Sequence, residues 1–598
     1  MKQRRSYGTI LILGGGGMVG IQVARECARE LRPAKMVIAA VEEQQAMDAI
    51  AFLRPQIASE IELIPEWGSV FVPEDLKDTP RDQLVQGANF EKIFDAVFRR
   101  AATAESSTLY AVIKRYAPDI VVDAINTASA ISYQNEFELA IQAKDQMDAL
   151  ASREGAIQRE ELEPLFDAVR KLMVAQGIPQ ITRHILLLHQ ALQDSGVEIY
   201  VKVGTTGTGG MGLNIPYTHS EDKPSQQLIA KSAIGFAHTG LLFLLARTPG
   251  GSEQDGGRRE EKLGAIVKEV KPGAMIGFRR VEKRHIGVRG EDDVRQAHLL
   301  EPREDVLGDQ LNLREDRAGF PRFEGRDVPL EIVGADTGEN GFFSIGEFQA
   351  ITFPRQMEYV TPEEVARTVV LEIIGASTGR DVLVAIDGAI TEPSYRAGVL
   401  REHAISEMRK LEQQIRGEND IPSIAVGHLG PPRLSKLLAE AFLIRQAATT
   451  EVIRNIARIQ PVNMKNLVEA YLAANPIVTS TIVRIGTPIL RERDGKLMIT
   501  RGPRINIPPV VGGRKTVDIP PDHIDDYANA GWVDLRVSNF AKWQKRLSAA
   551  TPGDIQQFGS AAFDANRYPG ERFEPGDFVG WLFVNEPDEL GMIGGRLY

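Results

Sequence analysis

Thr9-Ile10-Leu11-Ile12-Leu13-Gly14-Gly15-Gly16-Gly17-Met18-Val19-Gly20 is the stretch that decides the fold. Thr9 to Leu13 is a short apolar run of the kind that forms a buried parallel strand. It leads straight into four glycines. From Gly20 onward the apolar positions are Val23, Ala24, Cys27, Ala28 and Leu31, offsets of 3, 4, 7, 8 and 11 that trace one face of a helix. The glycines therefore stand at a strand-to-helix turn, where backbone N–H groups and a helix N-terminus can approach a pyrophosphate. Lys35 to Val41 reads as a second strand, ending at Glu42-Glu43 about 22 residues beyond Gly20. A carboxylate there accepts hydrogen bonds from an adenosine ribose diol and repels a 2′-phosphate, which favours NAD over NADP. The expected cofactor contacts are Gly14, Gly15, Gly17, Met18, Val19, Gly20 and Glu42. The alternative is a purely structural glycine turn.

Composition bounds the remaining choices. The chain has 598 residues, 25% charged and 43% hydrophobic, an ordinary balance for folded domains. At about 150 residues per domain it holds roughly four domain-equivalents. A net charge of −11 argues against a nucleic-acid or anionic-membrane partner. The single cysteine, Cys27, excludes an intramolecular disulfide framework and lies on the buried helix face, where it is packing. Basic residues precede Thr9–Leu13, but five apolar residues broken by glycines are too few for a signal-peptide core. Ile234 to Ala246, the longest apolar stretch, is interrupted by His238 and too short to span a bilayer. The expectation is a cytoplasmic protein acting on a small molecule. The nine histidines are scattered without ligand spacing, so no metal is expected.

Further motifs extend the first. Asp75-Leu76-Lys77-Asp78 follows the third strand. Tyr116-Ala117-Pro118-Asp119-Ile120-Val121-Val122-Asp123-Ala124-Ile125 contains a fourth strand and runs into Asn126-Thr127-Ala128. Val197 to Val203 is a fifth strand, ending in Gly204-Thr205-Thr206-Gly207-Thr208. Ile215-Pro216-Tyr217, Glu221-Asp222-Lys223-Pro224 and Lys231-Ser232-Ala233 come next. In this order the motifs resemble the extended, epimerase/dehydratase-like branch of the short-chain dehydrogenase/reductase superfamily. Gly14, Gly17 and Gly20 match its GxxGxxG spacing, and Asp123 stands where the family often has His. The resemblance covers residues 8–285, with a sixth strand expected at Ala274 to Val281. It implies cofactor contacts from Asp75, Leu76, Asn126 and Lys231, and a substrate hydrogen bond from Thr205 or Thr206. It also implies a homo-oligomer, with Gly235 to Arg247 a dimer helix.

One departure matters. Four residues before Lys231 stands Gln227, where the family has the Tyr that serves as acid/base. Glutamine cannot shuttle a proton. Tyr217 is the candidate substitute, with His219 as the other choice. The catalytic set is thus Lys231, Thr205, Thr206 and Tyr217.

The expected fold is an α/β Rossmann-type doubly wound parallel sheet. Residues 134–180 form an inserted helical hairpin, and the C-terminal region is large and mixed α+β. The domains read as 1–285 for the dinucleotide, 286–400 for a charged arm and α/β segment, and 401–598 for helices and a Trp/Pro-rich cap. Thr361-Pro362-Glu363-Glu364 opens a helix with an N-cap hydroxyl and Pro at N1. Its buried face is Val365, Ala366, Val369, Val370 and Ile373, and this segment is expected to pack on, or extend, the sheet. Trp532, Trp543 and Trp581 suggest a packed cap or oligomer contact, or in a sharper reading a sugar platform. The functional expectation is an NAD(P)-dependent oxidoreductase or epimerase/dehydratase acting at a hydroxyl or carbonyl carbon of a polar metabolite. The alternative is a non-catalytic dinucleotide-binding scaffold or redox sensor.

Overall fold

The computed structural model describes residues 7–99, 103–125, 136–153, 155, 158–204, 226–247, 252–255, 258–261, 264–270, 275–290, 293–296, 299–307, 311–312, 319–323, 330–337, 341–353, 358–376, 378, 381, 395–415, 424, 426, 432–503, 505, 516–517, 524–551, 568 and 570–586. The chain forms two compact units. The first comprises residues 1–208, 225–273 and 361–391; the second comprises 209–224, 274–360 and 392–598.

In the first unit, six strands form one parallel sheet: β1 (Thr9–Leu13), β2 (Lys35–Ala40), β3 (Glu62–Trp67), β4 (Ile120–Asp123), β5 (Ile199–Val203) and β6 (Ile266–Val270). Their order is β3-β2-β1-β4-β5-β6. The sixth strand is thus Ile266–Val270 rather than the Ala274–Val281 run that the sequence suggested. Met275–Gly277 and Arg280–Gly290 are strands of the second unit. Both runs are short and mix apolar with charged residues, and pattern alone does not tell them apart.

The longer helices of this unit are α1 (Met18–Glu30), α2 (Glu43–Leu53), α3 (Gly87–Phe98), α4 (Thr108–Tyr116), α5 (Glu136–Ala151), α6 (Arg159–Val174), α7 (Gly177–Ser195), α8 (Gln226–Ala246) and α9 (Pro362–Ile373). Strand alternation sorts the core into two layers. Ile10, Ile12, Ile38 and Val122 pack with Val23, Ala24, Cys27 and Ala28 of α1, and with α2 and α9. Leu11, Leu13, Val37 and Val121 pack with α4, α7 and α8 on the other face. Helices on both faces make the sheet doubly wound. The expected insertion is the helix pair α5 and α6, placed between β4 and α7.

The chain leaves this unit after residue 273 and returns to it at 361. The return begins with the capped helix expected from the sequence. Thr361 Oγ1 accepts the Glu364 N–H at 3.2 Å, and the Glu364 carboxylate accepts the Thr361 N–H at 3.4 Å. Ala366, Val369, Val370 and Ile373 are buried against the α1 layer, whereas Val365 is only partly covered. Each buried Val or Ile contributes about 1.5–3 kcal/mol. Lys268 of β6 bonds Glu372 of α9 at 2.5 Å and lies 3.5 Å from Asp381, which also bridges Val270.

The second unit is mixed. Asp293–Gln296, Arg280–Gly290, Leu330–Asp336 and Phe342–Ser344 form an antiparallel sheet. A second sheet joins Arg303–Val306, Lys496–Arg501, Ile489–Arg493 and Val533–Asp534. Part of the stretch read as an irregular charged arm is therefore strand. The main core holds Phe348, Met408, Leu437, Trp543, Phe578 and Trp581. Trp532 packs in a smaller cluster with Leu490 and Ile499. All three tryptophans are buried, so they are packing residues and offer no face to a sugar. Among the described residues no helix is long and apolar enough to cross a membrane.

Adjacent isoleucines test the returning helix. Ile373 is buried and Ile374 is 58% exposed. Ile373→Ala should cost about 2–5 kcal/mol in urea unfolding, and Ile374→Ala within about 0.5 kcal/mol. Equal losses would contradict the seating of α9.

Candidate dinucleotide site

Where β1 ends, Gly14 takes φ +76°, a left-handed conformation that an L side chain resists. A Cβ there would lie 3.0 Å from the carbonyl carbon of Ala124 and 3.1 Å from the Ile125 nitrogen, the backbone just beyond β4. At Gly20 a Cβ would lie 2.1 Å from the Gly14 oxygen, so α1 passes over the turn only as glycine. Gly17 differs, since a Cβ there would approach only the Gly14 oxygen, at 3.3 Å. The turn is closed by the Gly17 N–H donating to Gly14 O at 3.0 Å and anchored by the Gly15 N–H donating to Ala39 O at 2.7 Å. Gly17 is the N-cap of α1, with no side-chain cap and no acid in the first turn. The first amides of α1, at Met18, Val19 and Gly20, thus face outward at the positive end of the helix dipole.

The turn sits where the winding reverses. β1 leads into α1 on one face of the sheet, and β4 leads through the α5–α6 insertion to α7 on the other. Open α/β sheets bind their ligands at this switch point. A cradle that side chains would fill, next to outward amides, fits a pyrophosphate. Glu42 is exposed at the end of β2, at the N-cap of α2, and its carboxylate accepts from Gln45 Nε2 at 3.4 Å.

The other expected residues are placed as follows. Asp75 and Leu76 lie in a short helical turn, Glu74–Leu76. Asp75 is paired with Lys92 of α3. Leu76 is buried among Val72, Leu84, Phe90 and Ile93, so its side chain packs a small local core. Lys231 and Gln227 lie on α8, their side chains outside the described residues, and Asn126, Thr205, Thr206, Tyr217 and His219 lie outside them altogether.

At the carboxyl ends of β4 and β5 the structure assembles a buried polar cluster that sequence reading missed. Asp123 stands in register beside Leu13 of β1 and Lys202 of β5. Lys202 Nζ donates to Asp123 Oδ1 at 2.9 Å and to Ile125 O at 2.6 Å. Asp123 Oδ1 also accepts the Ile125 N–H at 2.9 Å, and Tyr200 Oη donates to Oδ2 at 2.8 Å. Burial alone would raise the Asp123 carboxyl; the charge and hydrogen bond of Lys202 and the Ile125 amide outweigh it and hold the pKa below its ordinary value. Burial, then Asp123, pushes the Tyr200 phenol well up. The signal was a lysine inside Ile199-Tyr200-Val201-Lys202-Val203, an otherwise apolar buried strand, and an aspartate ending Ile120-Val121-Val122-Asp123.

His184 of α7 borders this cluster. It is buried, stacks on Phe71 with centroids 4.8 Å apart, and meets His238 of α8 edge-on at 6.3 Å. Burial lowers its pKa to about 4; Asp123 opposes the shift and Lys202 adds to it. With Phe71, Ser107, Gln180 and Arg183 it lines a cleft of about 450 Å³, part of it open to solvent. Among the described residues no group of acids, histidines and cysteines could hold a metal ion.

Residues 302–587, a span that includes the returning segment, match the family model described as the beta-methylindole-3-pyruvate reductase C-terminal domain. No curated protein matches the chain. Among solved structures it is similar to the MalC reductase/Diels-Alderase from Malbranchea aurantiaca, at 13% identity over 45% of this chain and 74% of that one, TM-score 0.22. It is also similar to a short-chain dehydrogenase from Sphingobium yanoikuyae in complex with NADPH, at 17% identity over 40% and 63%, TM-score 0.18. A putative betaketoacyl-ACP reductase aligns at 13% identity over 61% and 88%, TM-score 0.24. The chain covers less than two thirds of the Sphingobium protein.

His184 gives the site a pH signature. It stays neutral in the fold to about pH 4 but protonates near 6.5 once unfolded. The unfolded state therefore binds the extra proton in that window, and stability falls as pH drops from 6.5 toward 4, by about 3 kcal/mol for the whole shift. Urea midpoints across this range should show the slope, and His184→Gln should remove close to one proton of it. A variant with the wild-type slope would contradict a neutral buried His184.

Proposed function

We propose that the protein is an NAD(P)-dependent reductase of the short-chain dehydrogenase/reductase type, delivering hydride to the carbonyl carbon of a small polar metabolite. The observation that carries this reading is the glycine turn, shaped so that no side chain intrudes where β1, β4 and α1 converge. Glu42 at the end of β2 supports NAD as the preferred cofactor, with NADP second. The match of residues 302–587 to a domain named for a reductase of a pyruvate derivative supports a 2-oxo acid as the substrate class.

The bound nicotinamide would supply hydride, and reduction of one carbonyl also consumes one proton. The chain's own residues do the rest. The amides of Met18, Val19 and Gly20 would hold the pyrophosphate, and Glu42 would accept from the adenosine ribose. Lys231 grips the second ribose, and Thr205 or Thr206 donates to the substrate oxygen as negative charge develops on it. Tyr217 gives that oxygen its proton, the role Gln227 cannot fill. Gln227 also favours a second reading, a dinucleotide-binding sensor without turnover.

Calorimetric titration with NAD, NADH, NADP and NADPH tests the cofactor. The NAD forms should bind more tightly, and Glu42→Ala should shrink the preference by about tenfold, the equivalent of about 1.4 kcal/mol. Failure to bind any of the four would remove the reading. Lys231→Ala separates enzyme from sensor in an NADH-oxidation assay with 2-oxo acids: turnover should be lost, whereas a sensor loses affinity and has no turnover to lose.

A further inference from the structure

A lysine and an aspartate buried together need a reason, because removing each from water costs several kcal/mol and an apolar pair of similar size is often as stable. The side chains of Lys202 and Asp123 are only 4% and 5% exposed. What they do that an apolar pair could not is bind the backbone. Lys202 Nζ holds Ile125 O, and Asp123 Oδ1 holds the Ile125 N–H. Both polar groups of that peptide position are thus tied to one ion pair, which Tyr200 braces from the far side of the carboxylate. Residues 124 and 125 are also the surface against which Gly14 lies with no room for a Cβ. The pair fixes the strand end, and the strand end supports the glycine turn.

We propose that Lys202 and Asp123 are positioning residues for the dinucleotide, freezing residues 123–125 beneath the glycine turn so that the cofactor meets a preformed floor. This rests on the reading of that turn as the dinucleotide site. Neither residue needs to touch the cofactor. The energy of the ion pair goes into ordering before binding, which lowers the cost of binding itself. Lys268 and Glu372 provide an internal control. They too form a largely buried lysine–carboxylate pair, but they join β6 to α9, and neither bonds residues 123–125.

The test compares Lys202→Met, the apolar replacement pair Lys202→Met with Asp123→Leu, and Lys268→Met, each titrated with NADH. Lys202→Met leaves a buried carboxylate unpaired and is the variant most at risk of not folding; the double variant removes that charge. NADH affinity should fall about ten- to a hundredfold in both, by analogy with the range seen when the residues that orient a metal's ligands are removed. Lys268→Met should lose stability and keep its affinity. Wild-type affinity in the folded double variant overturns the proposal, as does an equal loss in Lys268→Met. Hydrogen exchange at the Ile125 amide of the unaltered protein is the independent measurement. Protection should already be high without NADH; protection that appears only when NADH is added overturns the preformed floor. Wild-type protein that binds none of the four dinucleotides fails at the cofactor reading, and the proposal falls with it. Wild-type binding with an unaffected double variant fails the proposal alone.

Discussion

The first unit is organised by the contact between Gly20 and the Gly14 carbonyl. With a Cβ excluded from that space, α1 can start directly over the end of β1 instead of being pushed away from it. That seating lays Val23, Ala24, Cys27 and Ala28 on the sheet and leaves a groove that α9 fills after a long excursion through the second unit. Cys27 records how closed this layer is, since burial, with Glu26 adding to it, pushes its thiol up to about 12. A thiol so far from ionisation is a packing atom. The same contact seats the N-terminus of α1, which has no side-chain cap, over the end of β1.

Two lysine–carboxylate pairs mark the sheet. Lys268 with Glu372 and Asp381 joins the edge strand to the returning segment. Lys202 with Asp123 works at the centre, where β4 meets the glycine turn. In each case burial opposes the charge on the carboxylate, and the lysine prevails with help from neighbouring hydrogen bonds, from Thr378 at Glu372 and from the Ile125 amide at Asp123. Such pairs are weak arguments for stability, because taking both charges out of water costs about as much as their attraction returns, and an apolar pair is often as stable. They are better arguments for geometry: each charge accepts or donates in a set direction, and leucines would not.

Much of this fold was legible in the sequence because its signals are local. Thr9 to Gly20 contains strand, turn and helix within twelve residues, and the α1 face could be counted from offsets alone. The capped start of α9 was equally plain, since Thr361, Pro362 and Glu364 act on backbone within one turn. The sixth strand was not. Ile266–Val270 and Ala274–Val281 are similar short runs, and only pairing with β5, from residues far earlier in the chain, selects between them. The buried cluster escaped for the same reason. Lys202 looks like an exposed strand residue until Asp123, 79 positions away, is placed beside it in register. Of the candidate site, Gly14 to Gly20 and Glu42 could be read from spacing, whereas Leu76, expected at the cofactor, has its side chain in a local core.

The turn from Gly14 to Gly20 admits no side chain where β1, β4 and α1 converge, and the proposed dinucleotide would lie there. A crystal structure of the protein grown with NADH tests this most directly. The account predicts the pyrophosphate over Gly14 to Gly20, against the amides of Met18, Val19 and Gly20, with the adenosine ribose at Glu42. NADH bound elsewhere, with the glycine turn left empty, would contradict it.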